Sequence, residues 1–305
     1  MSANSAARKG NEMKKLRMVI PKGSIQANVV ELLRDAGLEM RVSERGYRPE
    51  TGDSELEVKM MRPQDIPKLI EMGSHHVGFT GHDWVVETGA DVEEVLDLCL
   101  DPVRIIAAVP EGTSLAKLGR GKVVVATEYE NIARAFLEKR KFRYVLIRTA
   151  GATEAFPPDD ADMIIDNTSS GRTLKEHGLS IASTIMTSST RMVANKKALT
   201  DPWKRKKIQD ICMLLQSVID ARQRVILEMN VPKAAFDKLV KTLPCMRSPT
   251  VAPLYGEEGY AVKVAVKRSE IQKLIPRLVD LGATDILEYG LRKVIVGGRP
   301  EKAAK

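Results

Sequence analysis

Short apolar runs alternate with amphipathic stretches along most of the chain. LRMVIP at 16–21 predicts a first strand, and Ile25, Val29, Leu32, Leu33 and Leu38 share one face at helical spacing, with Gly37 as a stop. LEVKMM at 56–61 predicts a second strand; Asp65 opens a helix through Met72 that Gly73 ends. VGF at 77–79 predicts a buried strand followed by a turn at Thr80-Gly81, and RIIAAVP at 104–110 another strand. The rhythm then repeats: KVVVAT (strand), YENIARAFLEKR (helix), YVLIRT (strand), GATEAFPP (turn) and MIID (strand). Such alternation predicts an α/β fold with mainly parallel sheets.

Two α/β lobes in tandem follow. RMVAN at 191–195 and a long helix from Pro202 to Arg222 return the chain to the first lobe. The expected organisation is a tail at 1–15, a first lobe at 16–108 and 190–223, a second at 109–189, and a small domain at 224–298. In that last part RVILEMNV, KAAFDKLVKTL, YAVKVAV, SEIQKLIPRLVDLG and DILEYGLRKVIV read as strand, helix, strand, helix and terminal strands, around a Pro-rich turn PCMRSPTVAP. The order is that of a ferredoxin-like βαββαβ domain.

Composition narrows the class. At 43% hydrophobic and 29% charged residues, the chain reads as an ordinary soluble globular protein. No run approaches the roughly 18 apolar residues of a membrane span, and residues 1–15 lack the apolar centre of a signal peptide. Cys99, Cys212 and Cys245 stand far apart with no C-x-x-C pair, which fits a reducing, cytoplasmic compartment and argues against a zinc module. The net charge of +8 includes Lys204–Lys207 (KRKK), read as the solvated face of the long helix rather than a nucleic-acid patch. No nucleic-acid or membrane partner is expected; a basic balance suits a polyanionic small substrate.

The densest candidate chemistry is IIDNTSSGRTLKEHGL at 164–179. Two β-branched apolars end a strand, Asp166 stands at its carboxyl end, and Thr168, Ser169, Ser170, Gly171, Arg172 and Thr173 lead into a helix. Small hydroxyls, a glycine and a helix N-terminus can cradle a phosphate while the aspartate takes sugar hydroxyls. The same stretch also reads as a capped strand–helix turn with no ligand.

Several ordered segments together resemble the ATP phosphoribosyltransferase family in its long form: IPKGSI (20–25), RPQDIPKLIEMG (62–73), VGFTGHDWVVE (77–87), VVVATEYENI (123–132), GATEAFPP (151–158), DNTSSGRTLKEHGL (166–179), LPCMRSPTVAPL (243–254) and LGATDIL (281–287). The resemblance spans about Leu16 to Gly297. It implies two periplasmic-binding-protein-like lobes around a cleft, and a C-terminal ferredoxin-like, ACT-like regulatory domain. The implied reaction is attack of adenine N1 of ATP on C1 of phosphoribosyl pyrophosphate, the first step of histidine biosynthesis, with no covalent enzyme nucleophile. Mg²⁺ would travel on the substrate phosphates, since no acidic cluster predicts a tight cage.

The resemblance assigns Asp166, Thr168, Ser169, Ser170, Gly171, Arg172, Thr173 and Glu154 to phosphoribosyl pyrophosphate, and Lys22, Gly23, Arg45, Gly81 and Asp83 to ATP. Ser170 stands where the family more often has Thr. It further implies inhibition by histidine, with Asn230, Leu243, Met246, Ser248, Thr250 and Ala283 lining that pocket, and dimers and hexamers of the chain. One departure is His75-His76 before VGFTG, where the family usually carries an aspartate; a structural role for His76 is expected. Two competing readings remain at this point: a non-catalytic two-lobed binding protein, and a phosphoribosyltransferase acting on a free base. A scaffold dependent on a partner subunit is a third, disfavoured by the tail.

Overall fold

The computed structural model describes residues 14–43, 46–244 and 248–295. Arg45, Met246 and the expected tail up to residue 13 lie outside them. The chain divides into two compact units, one containing Leu38–Ile208 with the chain before Leu32, the other Leu32–Gly37 with the chain from Gln209 onward.

The first unit holds both lobes. Its first part runs β1 (Leu16–Pro21), α1 (Gln26–Ala36, which continues into the other unit), a minimal pair β2 (Met40–Arg41) and β3 (Glu50–Thr51), β4 (Leu56–Met61), α2 (Ile66–Glu71), β5 (Val77–Gly81), α3 (His82–Thr88) and β6 (Glu93–Asp97). The second lobe comprises β7 (Val103–Pro110), α4 (Leu115–Leu118), β8 (Lys122–Thr127), α5 (Glu130–Lys139), β9 (Arg143–Arg148), β10 (Met163–Thr168), α6 (Arg172–Glu176) and β11 (Leu179–Ser188). The chain then returns through β12 (Thr190–Ala194), α7 (Lys196–Thr200) and α8 (Pro202–Arg222).

The first sheet has strand order β4-β1-β5-β12-β6 and the second β11-β7-β10-β8-β9. Both are mixed, which corrects the expectation of mainly parallel sheets: β4, β1 and β5 run parallel, but β12 is antiparallel to both β5 and β6, and β7 is antiparallel to both β10 and β11. Thr80 and Gly81 finish β5 instead of turning, because β12 pairs with both. β7 belongs to the second sheet, so the change of lobe falls at 98–102 rather than at 108. Residues of α8 from Gln209 onward group with the C-terminal unit rather than with the first lobe.

His76 explains its own departure from the family pattern. It is 7% exposed, its N–H donates to the Arg17 carbonyl at 2.8 Å, and its Nδ1 accepts from the Arg17 N–H at 3.0 Å. Burial, with Lys204 and Arg17 nearby, pushes the imidazole down to about 4. A neutral acceptor tying β1 to the start of β5 is a structural part and lies outside the cleft lining.

The C-terminal unit contains β13 (Arg224–Pro232), α9 (Phe236–Val240), β14 (Thr250–Pro253), β15 (Gly259–Lys267), α10 (Ile271–Asp280) and β16 (Thr284–Gly290). Its sheet order β14-β15-β13-β16 is the ferredoxin-like arrangement. Val225, Leu227, Met229 and Val231 alternate inward along β13 and meet Val262, Val264 and Val266 of β15, with Leu274 and Leu278 of α10 closing the core. Two expectations are corrected. TVAP forms an edge strand rather than part of a turn, and among the described residues a single strand follows α10, since 291–295 have no regular structure.

Candidate functional site

The carboxyl ends of the parallel strands converge on a cleft of about 490 Å³ within the first unit. Open α/β sheets bind ligands at this edge. From the first lobe come Lys22 after β1, Arg62 after β4, Gly81 as the last residue of β5 and Asp83 beyond it; from the second, Glu128 and Tyr129 after β8, and Asn167 with Ser169 at the end of β10. Pro21 pairs with Met61, and the Lys22 N–H donates to the Met61 carbonyl at 2.7 Å, so the Lys22 and Arg62 backbones lie side by side. The Lys22 ammonium sits 4.1 Å from the centre of the Tyr47 ring. Gly23 adopts φ +126, a conformation that favours glycine, which makes the turn beside Lys22.

β10 continues past Asp166 to Thr168, two residues beyond the predicted end. The loop after it is organised by its own hydroxyls. Thr168 Oγ1 accepts from the Gly171 N–H at 3.0 Å, and Ser170 Oγ from the Arg172 N–H at 3.3 Å. Gly171 takes φ +77 as the residue preceding α6. Ser169 faces the cleft, while Thr173 is exposed on α6 and Arg172 is turned to Glu176 at 2.9 Å on the surface. Burial is the main cause that pushes the Asp166 carboxyl up to about 6, aided by Glu128 and Glu154 and opposed by hydrogen bonds from the Asn167 N–H and the Thr153 hydroxyl. Glu154, in a short 3-10 turn, thus belongs to the same acidic end as Asp166.

Asp83 is 4% exposed, and its carboxylate is engaged by protein. It accepts from the Ser188 hydroxyl at 2.6 Å and from the Tyr129 hydroxyl at 2.7 Å; Asn167 Nδ2 in turn donates to the Tyr129 oxygen at 3.0 Å. Burial, then the Asp83 charge, hold the Tyr129 phenol well above its usual range, so it remains a donor. Arg62, Gln64, Glu128, Tyr129 and Asn167 line the cleft without having been singled out from sequence. Arg62 and Gln64 stand inside RPQDIP and Tyr129 inside ATEYEN, so the motifs pointed to the segments but not to the side chains. Gln64 Oε1 is buried with no hydrogen-bond partner among the described residues, an acceptor that costs free energy until a donor reaches it.

Comparisons with known proteins identify the family of this chain. A family model for ATP phosphoribosyltransferase matches residues 62–217, and a second, for the HisG C-terminal domain, matches 221–293. The ATP phosphoribosyltransferase of Pelodictyon phaeoclathratiforme is 40% identical over 287 residues, covering 92% of this chain and 97% of its own. This chain belongs to the ATP phosphoribosyltransferase family. The family enzyme of Thermodesulfovibrio yellowstonii is 39% identical over 289 residues, with 92% of this chain and 99% of its own covered. A solved structure, the ATP phosphoribosyl transferase (HisG:HisZ) complex from Thermotoga maritima, contains a chain similar at TM-score 0.61 and 27% identity, covering 67% of this chain and 98% of that one.

The residues expected around histidine scatter differently. Leu243 and Ala283 lie in the C-terminal core, 8% and 4% exposed, so Leu243 is a packing residue rather than the floor of an open pocket. Ser248 and Thr250 are exposed at the edge-strand end. Asn230 Nδ2 donates to Asp285 Oδ2 at 3.0 Å, an acid that Thr284 also contacts. Lys207 of the KRKK run is no solvated charge: it bridges Asp53 and Glu55, each at 2.7 Å. Among the described residues no helix is long and apolar enough to cross a membrane.

Proposed function

We propose that the cleft transfers the phosphoribosyl group of phosphoribosyl pyrophosphate to N1 of the adenine ring of ATP, the first committed chemistry of histidine biosynthesis. The observation that carries this reading is the pairing, in one cleft, of Lys22 and Arg62 with Asn167 and Ser169 at the acid-bearing end of β10. In the reaction the C1–oxygen bond to pyrophosphate breaks and its electron pair leaves with pyrophosphate. The adenine N1 lone pair forms the new C1–N bond. Both nucleophile and leaving group belong to the substrates, so the protein's work is alignment and charge stabilisation. Asp166, ionised above about pH 6, accepts from the ribose hydroxyls. The loop from Thr168 to Thr173, with Ser169 foremost, holds the 5′-phosphate, and Glu154 supports the same end. Lys22, Gly23, Arg45, Gly81 and Asp83 form the ATP side, to which Arg62 adds a third cation.

No group of three metal-ligating side chains occurs among the described residues, which fits a cation carried by substrate phosphates rather than by a protein cage. Mg²⁺ bound to the substrate phosphates would supply charge neutralisation for the departing pyrophosphate, with Lys22 and Arg62 as the protein's cations beside it. Histidine inhibition through the C-terminal unit and assembly into dimers and hexamers complete the reading, in a cytoplasmic enzyme without nucleic-acid or membrane partners. The test mixes the protein with ATP, Mg²⁺, phosphoribosyl pyrophosphate and pyrophosphatase, and follows the N1-substituted adenine chromophore with and without histidine. Product suppressed by histidine is expected. Phosphoribosyl pyrophosphate binding without product overturns the catalytic assignment, and product indifferent to histidine overturns the regulatory one.

A further inference from the structure

The cleft's two walls are joined along α3, from Asp83 in the cleft lining to Glu87 outside it. α3 follows the first sheet in the chain, but it is fastened to the second lobe at two points. At its first turn, Asp83 holds Tyr129 and Ser188. One turn later Glu87, 8% exposed, accepts from the Asn131 N–H at 3.0 and 3.1 Å and from the Ile132 N–H at 3.0 Å, while Asn131 Nδ2 returns a bond to the Glu87 carbonyl at 2.8 Å. A carboxylate from one lobe therefore caps a ten-residue helix of the other, where the unpaired N–H groups and the helix dipole favour it. Between the two points the Trp84 ring stacks on Tyr129 at 4.6 Å and packs against the second lobe's core.

Two crossing segments also join the lobes and pair with each other, Thr190 N–H to the Leu100 carbonyl at 2.9 Å and Leu98 N–H to the Thr190 carbonyl at 3.0 Å. Such a two-segment joint is an axis about which lobes can turn. The Asp83 fastening holds Ser188 beside that joint and Tyr129, just ahead of α5, beyond it. Glu87 lies about 6 Å further along α3 at 1.5 Å per residue and adds three bonds to the N-terminus of α5, a second fastening separate from the joint.

We infer that Glu87 is a positioning residue that fixes the angle between the lobes, and with it the approach of adenine N1 to the ribose C1. The inference rests on the proposed reaction. The test compares Glu87→Ala and Glu87→Gln with the unsubstituted protein. The Ala variant is expected to lose about 100-fold in kcat, the scale of an ångström of misalignment. Its affinity for phosphoribosyl pyrophosphate alone, held by one lobe, stays within about threefold, and the Gln variant, which still accepts one N–H, recovers part of the loss. Spin labels on Ser54→Cys and Lys139→Cys, in a chain cleared of Cys99, Cys212 and Cys245, should report a broadened interlobe distance. An unchanged kcat, unchanged distances, or a loss of phosphoribosyl pyrophosphate binding in step with kcat would each overturn the inference. If the unsubstituted protein makes no product, the functional reading fails, while the label distances still decide whether Glu87 holds the lobes.

Discussion

The two units bury different things. Among the described residues, the buried polar and charged side chains are His76, Thr80, Asp83, Glu87, Thr127, Thr149, Thr153, Ser188, Thr190, Asn195 and Ser217, all but Ser217 in the first unit. The C-terminal sheet and its helices close over an aliphatic core. Apolar packing tolerates small displacements; hydrogen-bonded buried polar groups do not, because each unmade bond leaves an atom unsatisfied. The first unit thus invests in direction, the second in cohesion.

The sharpest way to break the first kind of order is Asp166→Asn. Turnover should fall by roughly 10²-fold or more, the scale for deleting a charged group aimed at the reacting sugar. The pH dependence carries the sign. Phosphoribosyl pyrophosphate affinity of the native protein, divided by that of the variant, should be level above pH 6 and fall on acidification through it, because protonation removes the accepting charge. Isothermal titration across that window measures it, and a ratio independent of pH would sink the assignment.

For the second kind of order, Leu227→Ala should cost about 3 kcal/mol of stability, since a fully buried leucine leaves a cavity. Denaturant unfolding measures the loss; a cost below about 1 kcal/mol would mean the core collapses around the gap.

His76 tests whether direction in the first unit depends on pH. In the folded chain its imidazole stays neutral down to about 4, whereas an unfolded one binds a proton near 6.5. Stability present above 6.5 is therefore lost as pH falls toward 4, by on the order of 2 kcal/mol. His76→Asn, which keeps an acceptor for the Arg17 N–H, should flatten that slope in thermal melts. The smallest effect expected is Gly171→Ala: forcing a side chain into φ +77 costs about 1 kcal/mol and should raise the phosphoribosyl pyrophosphate KM a few-fold.

The strands that sequence reveals are those whose inward residues are uniformly apolar, such as LRMVIP and KVVVAT. β6, EEVLD, is an acidic edge strand, and β11, LSIASTIMTS, is a half-exposed edge strand with two register shifts, so neither carries a clean period. β14 hides behind its prolines, and Thr80-Gly81 looked like a turn because nothing local announces the antiparallel β12. In the site, Asp166, Ser169 and Lys22 were legible because strand-end acids, hydroxyl loops and Lys-Gly turns are local patterns. The engagement of Asp83 was not, because its partners lie 46 and 105 positions away.

The strand order of the first sheet has a consequence for how the chain is made. β12 sits between β5 and β6, yet it follows the entire second lobe in sequence. Until residue 194 has left the ribosome, β5 lacks a neighbour on one side and β6 has none in its sheet. The second lobe's strands, by contrast, are contiguous from 103 to 188 and can pair as they emerge. The later-numbered lobe therefore completes first, and the earlier one waits with an open sheet edge, the part of the nascent chain most exposed to wrong pairing.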